Sequence, residues 1–211
     1  MKHLSLIVAA ILTMGFFASC NGVGGGTDSA SQNKGDNKGE IVFNNIMTRT
    51  SIRQFTDQPI PKDTLDLLAK AGMAAPTAVN TQPWKFVVIN EKEVLDSLNQ
   101  VHPHANLKTA TAAIVVCGDM NLMISSEIPK EYWVQDCSAA TENILLAAHG
   151  FGLGAVWCGV YPVEERINDV SKVLGLPKEI IPLNIITLGH PDEAPQPKNK
   201  FKQDNIHYNK W

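Results

Sequence analysis

The chain has 211 residues, 44% of them apolar and 18% charged, with a formal net charge of −3. That length and apolar content suit one domain with a real core and exclude a disordered chain. The slight acidic excess leaves no basic surplus to grip nucleic-acid phosphates, so no nucleic-acid partner is expected.

The first twenty residues form a separate object. Met1-Lys2-His3 is a short basic start, Leu4 to Phe17 is an apolar run broken by Ser5, Thr13 and Gly15, and Ala18-Ser19-Cys20 closes it. A bilayer span needs roughly 20 apolar residues, so residues 1–19 read as a secretory signal. A cysteine directly after two small residues resembles the bacterial lipoprotein signal, which implies that Cys20 becomes a lipid-modified N-terminus. A plain cleaved signal with an incidental cysteine is the alternative. The lipoprotein reading implies export and a membrane anchor, at the periplasmic face or on an outer membrane, with a soluble mature domain. Residues 20–39 are rich in Gly, Ser, Asn, Asp and Lys and read as a flexible linker. The folded domain is then 40–211.

Ile41 to Met47 has apolar residues at helical spacing and reads as a short helix. The basic, hydroxyl-bearing cluster Arg49-Thr50-Ser51-Ile52-Arg53 follows. Lys62 to Met73 is a helix with Leu65, Leu68, Ala69 and Gly72 on one face, Asp63 in its first turn and Pro76 beyond its end. A polar turn, Ala75 to Trp84, leads into the strand Trp84 to Ile89, rich in β-branched and aromatic residues. Glu91 to Val101 reads as a helix. Ala113 to Cys117 is nearly all apolar and reads as a strand buried on both faces. Glu131 to His149 is the longest helix, and its middle, Ser138 to Asn143, reads as small and would let another helix approach closely. Gly150 to Gly154 turns into the strand Ala155 to Val160. Val163 to Leu174 is a helix stopped by Gly175, and Pro182 to Leu188 is the last strand. The tail from Gly189 ends in His207-Tyr208-Asn209-Lys210-Trp211, aromatics with no local core to join, and is expected to pack across a second subunit. Helices alternating with about four strands give an α/β or α+β class, a small sheet flanked by helices.

Three cysteines remain in the domain, Cys117, Cys137 and Cys158, an odd number without CxxC spacing. They read as buried free thiols. His102 and His104 either line a pocket or lie at the surface, the surface being the default. His102-x-His104 lacks a third ligand, so no metal is expected. His149 and His190 read as structural.

Arg49 and Arg53 flank Ser51, and in either a helix or a strand both guanidinium groups share a side. Two cations and a hydroxyl suit a dianion; a solvated surface pair is the alternative. Asn80 and Gln82, two amides beside Pro83 and Trp84, offer paired donors and acceptors suited to a heterocycle edge; a polar loop anchored by Trp84 is the alternative.

These residues together resemble the nitroreductase family of FMN-dependent oxidoreductases. The resemblance rests on Arg49-x-Ser51-x-Arg53, on Ala75-Pro76-Thr77-x-x-Asn80-x-Gln82-Pro83-Trp84, on Asp136 to Asn143, on Gly152-Leu153-Gly154-Ala155-Val156-Trp157 and on the terminus His207 to Trp211. It spans Ile41 to Trp211.

The resemblance implies an α+β, three-layer fold with a mainly antiparallel central sheet and a domain-swapped tail, in a homodimer holding two flavins at its interface. It places Arg49, Thr50, Ser51 and Arg53 at the FMN phosphate and ribityl oxygens. Pro76 and Thr77 approach the flavin of the partner subunit, with Asn80 and Gln82 near that edge. Ala155, Trp157 and Gly159 lie along the ring, and Lys198 or Lys200 returns to the phosphate. It implies reduction by NAD(P)H and ping-pong transfer to nitroaromatics, quinones or related acceptors, with no dedicated acid or base. The 18 residues between Cys117 and Asp136 are short for a helical lid, which implies an open cleft. The alternatives are dehalogenation or flavin breakdown on the same scaffold, and a non-enzymatic flavin-binding lipoprotein, favoured by the scarcity of reduced nicotinamide outside the cytoplasm.

Overall fold

In the computed structural model the described residues are 37–123 and 129–211. The signal, Cys20 and the linker up to residue 36 lie outside them. Chain order is α1 (Lys38–Thr48), α2 (Lys62–Met73), β1 (Trp84–Ile89), α3 (Lys92–Val101), β2 (Ala112–Asp119), α4 (Tyr132–Gly150), β3 (Gly154–Gly159), α5 (Glu164–Leu174) and β4 (Ile180–Gly189). α1 begins at Lys38, inside the stretch read as linker, because the Asn37 side chain accepts the Gly39 N–H and caps the first turn. No described helix is long and apolar enough to cross a membrane.

The sheet runs β1-β2-β4-β3, every neighbouring pair antiparallel. β2 and β4 are central and β1 and β3 form the edges. That order explains the unbroken apolar run of β2: Ala112 to Val116 are fully buried because helices cover both faces. On one face α2 and α4 pack Leu65, Leu68, Ile144 and Leu145 against Ile114, Val116, Ile186 and Leu188. On the other α3 and α5 bring Leu95, Leu98 and Val170 to Val115, Ile185, Val156 and Cys158. The molecule is a three-layer α+β structure, as the resemblance implies.

Two local details set the layers. A Cβ at Gly72 of α2 would lie 2.9 Å from Ile144 and from Phe86, so glycine there lets α2 lie close on α4 and β1. Asn184, fully buried on central β4, donates to Thr141 Oγ1 at 2.9 Å, and Thr141 donates to the Cys137 carbonyl at 2.8 Å. This polar link fixes the long helix in register over the sheet.

Two elements lack a core of their own. α1 buries no residue and exposes Ile41, Val42, Phe43, Ile46 and Met47. It is held to α4 by Asn45 Nδ2 donating to the Leu146 carbonyl at 3.0 Å and by Thr48 Oγ1 and His149 Nε2 at 2.9 Å, beside a groove of about 880 Å³. The tail beyond Gly189 is exposed almost throughout: Trp211 is 101% exposed, its ring stacked on His207.

Candidate functional site

The basic cluster leaves the end of α1 as extended chain. Ser51 forms a parallel bridge with Ala155 and Phe55 an antiparallel one with Pro191. Ile52 N–H donates to the Ala155 carbonyl at 3.1 Å and Thr56 N–H to the His190 carbonyl at 2.9 Å. Residues 51–56 therefore cross the end of the β3–β4 pair. Two glycines paired across those strands, Gly154 and Gly189, form the seat. A Cβ at Gly154 would lie 2.7 Å from Ile52, and one at Gly189 would lie 2.7 Å from Phe55. Glu193 Oε1 closes the far side by accepting the Arg53 and Gln54 N–H groups.

This leaves Arg53 with an exposed side chain and a fixed backbone. Thr50 and Ser51 are half-buried, and Arg49, also half-buried, has Nε 3.6 Å from Glu142 Oε1 on α4.

The polar turn is also clamped to α4. Asp136, buried, accepts the Ala78 N–H at 2.9 Å, and the Thr81 hydroxyl stands 3.5 Å from its second oxygen. Gln82 N–H donates to Thr77 Oγ1 at 3.1 Å, and Gln82 Nε2 donates to Asn80 Oδ1 at 2.9 Å. Within this frame Val79, Asn80 and Gln82 take positive φ values of 42°, 61° and 50°. Asn accepts that region readily, whereas β-branched Val79, 75% exposed, does not. Such strain persists only where surrounding contacts over-determine it, and it clusters at ligand sites. Pro76, Asn80 and Gln82 are exposed and Thr77 is half-buried.

Asp136 and Glu142 are six residues apart on α4, about 9 Å along the axis and about 120° around it. The chain thus holds its arginine cluster and its amide turn on different faces of one helix. Neither of two surface cavities contains them: one is the α1–α4 groove, and the other, of about 380 Å³, lies between Phe55, Leu95 and Lys108.

On edge strand β3, Ala155 is buried under α4, while Trp157 on the same face is 37% exposed. A Cβ at Gly159 would meet no atom of the described residues within 4 Å. Beyond Ala155 the strand therefore offers an open surface of ring and bare backbone. Lys198 and Lys200 lie on the exposed tail and enter no ion pair among the described residues; the single chain does not bring them to the cluster.

His102 is the main departure from the sequence reading. It is 3% exposed, on the turn after α3, with Nε2 3.0 Å from the Gly159 carbonyl, whereas His104 is exposed. Burial pushes its pKa below the usual histidine value; the bond to the Gly159 carbonyl works against that fall, and Arg166 and His104 add to it. Cys117, Cys137 and Cys158 are buried free thiols. Burial pushes the Cys117 thiol up to about 12 and raises the other two. Among the described residues no group of three metal-binding side chains occurs. Sequence reasoning missed Glu193 and the clamping role of Asp136. Asp136 had a signal, an acid inside an apolar and small helix; Glu193, in a polar tail, had none.

The nitroreductase family model matches residues 46–106 and 100–190. A Methanothermobacter thermautotrophicus protein named "Putative NADH dehydrogenase/NAD(P)H nitroreductase" is 44% identical over 171 residues, covering 81% of this chain and 87% of the relative. The crystal structure of a Bacteroides thetaiotaomicron protein of the same name is 42% identical with a TM-score of 0.75, covering 81% of this chain and 98% of that one. The NADPH:FMN oxidoreductase of Vibrio harveyi, complexed with NAD+, is 27% identical with a TM-score of 0.70, covering 81% and 77%. The chain belongs to the nitroreductase family, whose members are FMN-dependent oxidoreductases.

Proposed function

We propose that this chain binds FMN, takes electrons from NAD(P)H, and passes them to nitroaromatics, quinones or related acceptors in a ping-pong sequence. The observation that carries this reading is the seating of residues 51–56. That segment bears the Arg53 guanidinium and the Ser51 hydroxyl, with Arg49 and Thr50 just before it, and is locked across Gly154 and Gly189, beside the open Trp157–Gly159 surface of β3.

The residues fit FMN. Arg49, Arg53, Thr50 and Ser51 are a donor set for its phosphate and ribityl oxygens. The bare backbone at Gly159, where a Cβ would meet none of the described residues, admits a flat ring, with Ala155 and Trp157 beside it. When bound, FMN supplies the redox chemistry, cycling between nicotinamide and acceptor. The chain's part is to hold and orient. The Asp136 clamp presets Asn80 and Gln82 in a strained turn as amide donors and acceptors, and Pro76 and Thr77 carry that turn toward a neighbour. Because α4 holds cluster and turn on different faces, the two serve different flavins of a homodimer. The apolar side of α1 and the aromatic tail, with Lys198 and Lys200, supply surfaces for the partner. The signal and Cys20 make the protein an exported, lipid-anchored one.

The test is spectroscopic. The purified full chain should carry the yellow absorbance of oxidised flavin, and anaerobic NADH or NADPH should bleach it, with a quinone restoring it. A chain that cannot take up FMN overturns the reading. A yellow chain that neither nicotinamide bleaches is a flavin-binding module or takes another donor.

A further inference from the structure

On the outer edge of β3 two carbonyls have partners from outside the sheet. Ala155 takes the Ile52 N–H. Gly159 takes two donors, His102 Nε2 at 3.0 Å and Arg166 Nη1 at 3.3 Å. A carbonyl only accepts, so His102 carries its proton on Nε2. Arg166, half-buried on α5, enters no ion pair among the described residues.

Strand pairing does not require this pair of donors. The next N–H, that of Val160, already donates to the Leu183 carbonyl at 3.0 Å. A buried imidazole and an unneutralised, half-buried guanidinium both spent on one backbone oxygen carry a desolvation cost. Gly159 is also the least constrained residue of β3: it has no side chain, nothing among the described residues stands within 4 Å of its missing Cβ, and it ends the strand.

We infer that His102 and Arg166 are positioning residues for the redox reaction: together they fix the Gly159 carbonyl, holding the open end of β3 in one orientation, and the Arg166 charge favours reduced over oxidised bound flavin. The inference rests on the FMN reading above, which assigned that surface to the ring. The positive charge stands 3.3 Å from a carbonyl of the surface assigned to the ring, and a nearby cation favours adding electrons to a bound group. A second proton on His102 would set two cations on one carbonyl, which the burial of the ring and the nearby Arg166 and His104 oppose.

The experiment uses the full chain and three variants, His102→Phe, His102→Gln and Arg166→Gln. Three quantities are read: FMN affinity by fluorescence titration, the midpoint potential of the bound flavin, and amide exchange of residues 156–160 without flavin. His102→Phe should weaken FMN roughly tenfold, the scale of one buried hydrogen bond lost, and speed exchange at Trp157 and Gly159. His102→Gln, which keeps an N–H donor, should restore both. Arg166→Gln should move the midpoint potential to more negative values with little change in melting temperature. Folded variants with parental affinity, potential and exchange overturn the inference and leave the FMN reading standing. If His102→Phe does not fold, Arg166→Gln alone decides through the potential. A parent chain that takes up no FMN overturns both readings, and is recognised before any variant is made.

Discussion

Single residues here act mostly through backbone groups. Asp136 and Glu193 each accept backbone N–H groups of a segment far away in the chain, and neither touches another charged group among the described residues. A carboxylate accepting N–H bonds is a strong fixed acceptor, so each converts a polar loop into a defined surface. His102 does the converse, donating to a carbonyl from inside the core. Its depressed pKa has a consequence for stability. Below the ordinary value of 6.5 the unfolded chain takes up a proton that the folded chain resists, so unfolding is favoured as pH falls from 6.5 toward the lower folded pKa. Above that window the group contributes no slope. Urea midpoints at pH 8 and pH 5 should fall on acidification in the parent chain and fall less in His102→Gln; equal losses would remove His102 as the source.

The element that matters most is the crossing of residues 51–56 over β3 and β4. It is a steric arrangement before it is a chemical one, because Ile52 and Phe55 occupy the volume that side chains at Gly154 and Gly189 would fill. Gly189→Ala places a methyl 2.7 Å from Phe55 Cβ, Cγ and Cδ1. The segment then has to move, at a cost of about 1–3 kcal/mol typical of overpacking. The expected outcome is a lower urea midpoint together with reduced flavin content, since Arg53 moves with Phe55. A variant with parental stability that still loses flavin would mean that the glycine, and not the segment, meets the cofactor. α2 and β1 show the opposite regime, with boundaries at Lys62–Met73 and Trp84–Ile89 that agree with the periodicity to the residue. Prolines before and after the helix, and a β-branched run in the strand, encode those limits locally.

At the scale of the whole molecule two surfaces of the described residues stand open. α1 shows an apolar side with no residue buried, and the tail ends in a fully exposed tryptophan. Surfaces of that kind are the ones the proposed homodimer would bury. Ile46→Asp and Phe43→Asp alter residues that are 50% and 65% exposed, so they should cost the isolated chain little. In a homodimer they should shift sedimentation from dimer to monomer at micromolar concentration and release FMN at the same time. A double variant that stays dimeric and yellow would place the subunit contact elsewhere.

What could be read from sequence was local or periodic. Helical spacing and short apolar, β-branched runs marked all nine main elements, the αL position of Gly175 closed α5, and the apolar runs announced buried thiols. The motif residues of the candidate site were picked out because Arg49 to Arg53 and Asn80 to Trp84 are contiguous stretches whose chemistry shows in their order. The tertiary structure alone decided what holds them. Arg53 and Glu193 are 140 residues apart in sequence, Ala78 and Asp136 are 58 apart, and His102 and Gly159 are 57 apart. No period or cap encodes such pairings. They arise from a strand order that sets β3 at one edge beside β4, and from glycines small enough to let a separate segment cross there.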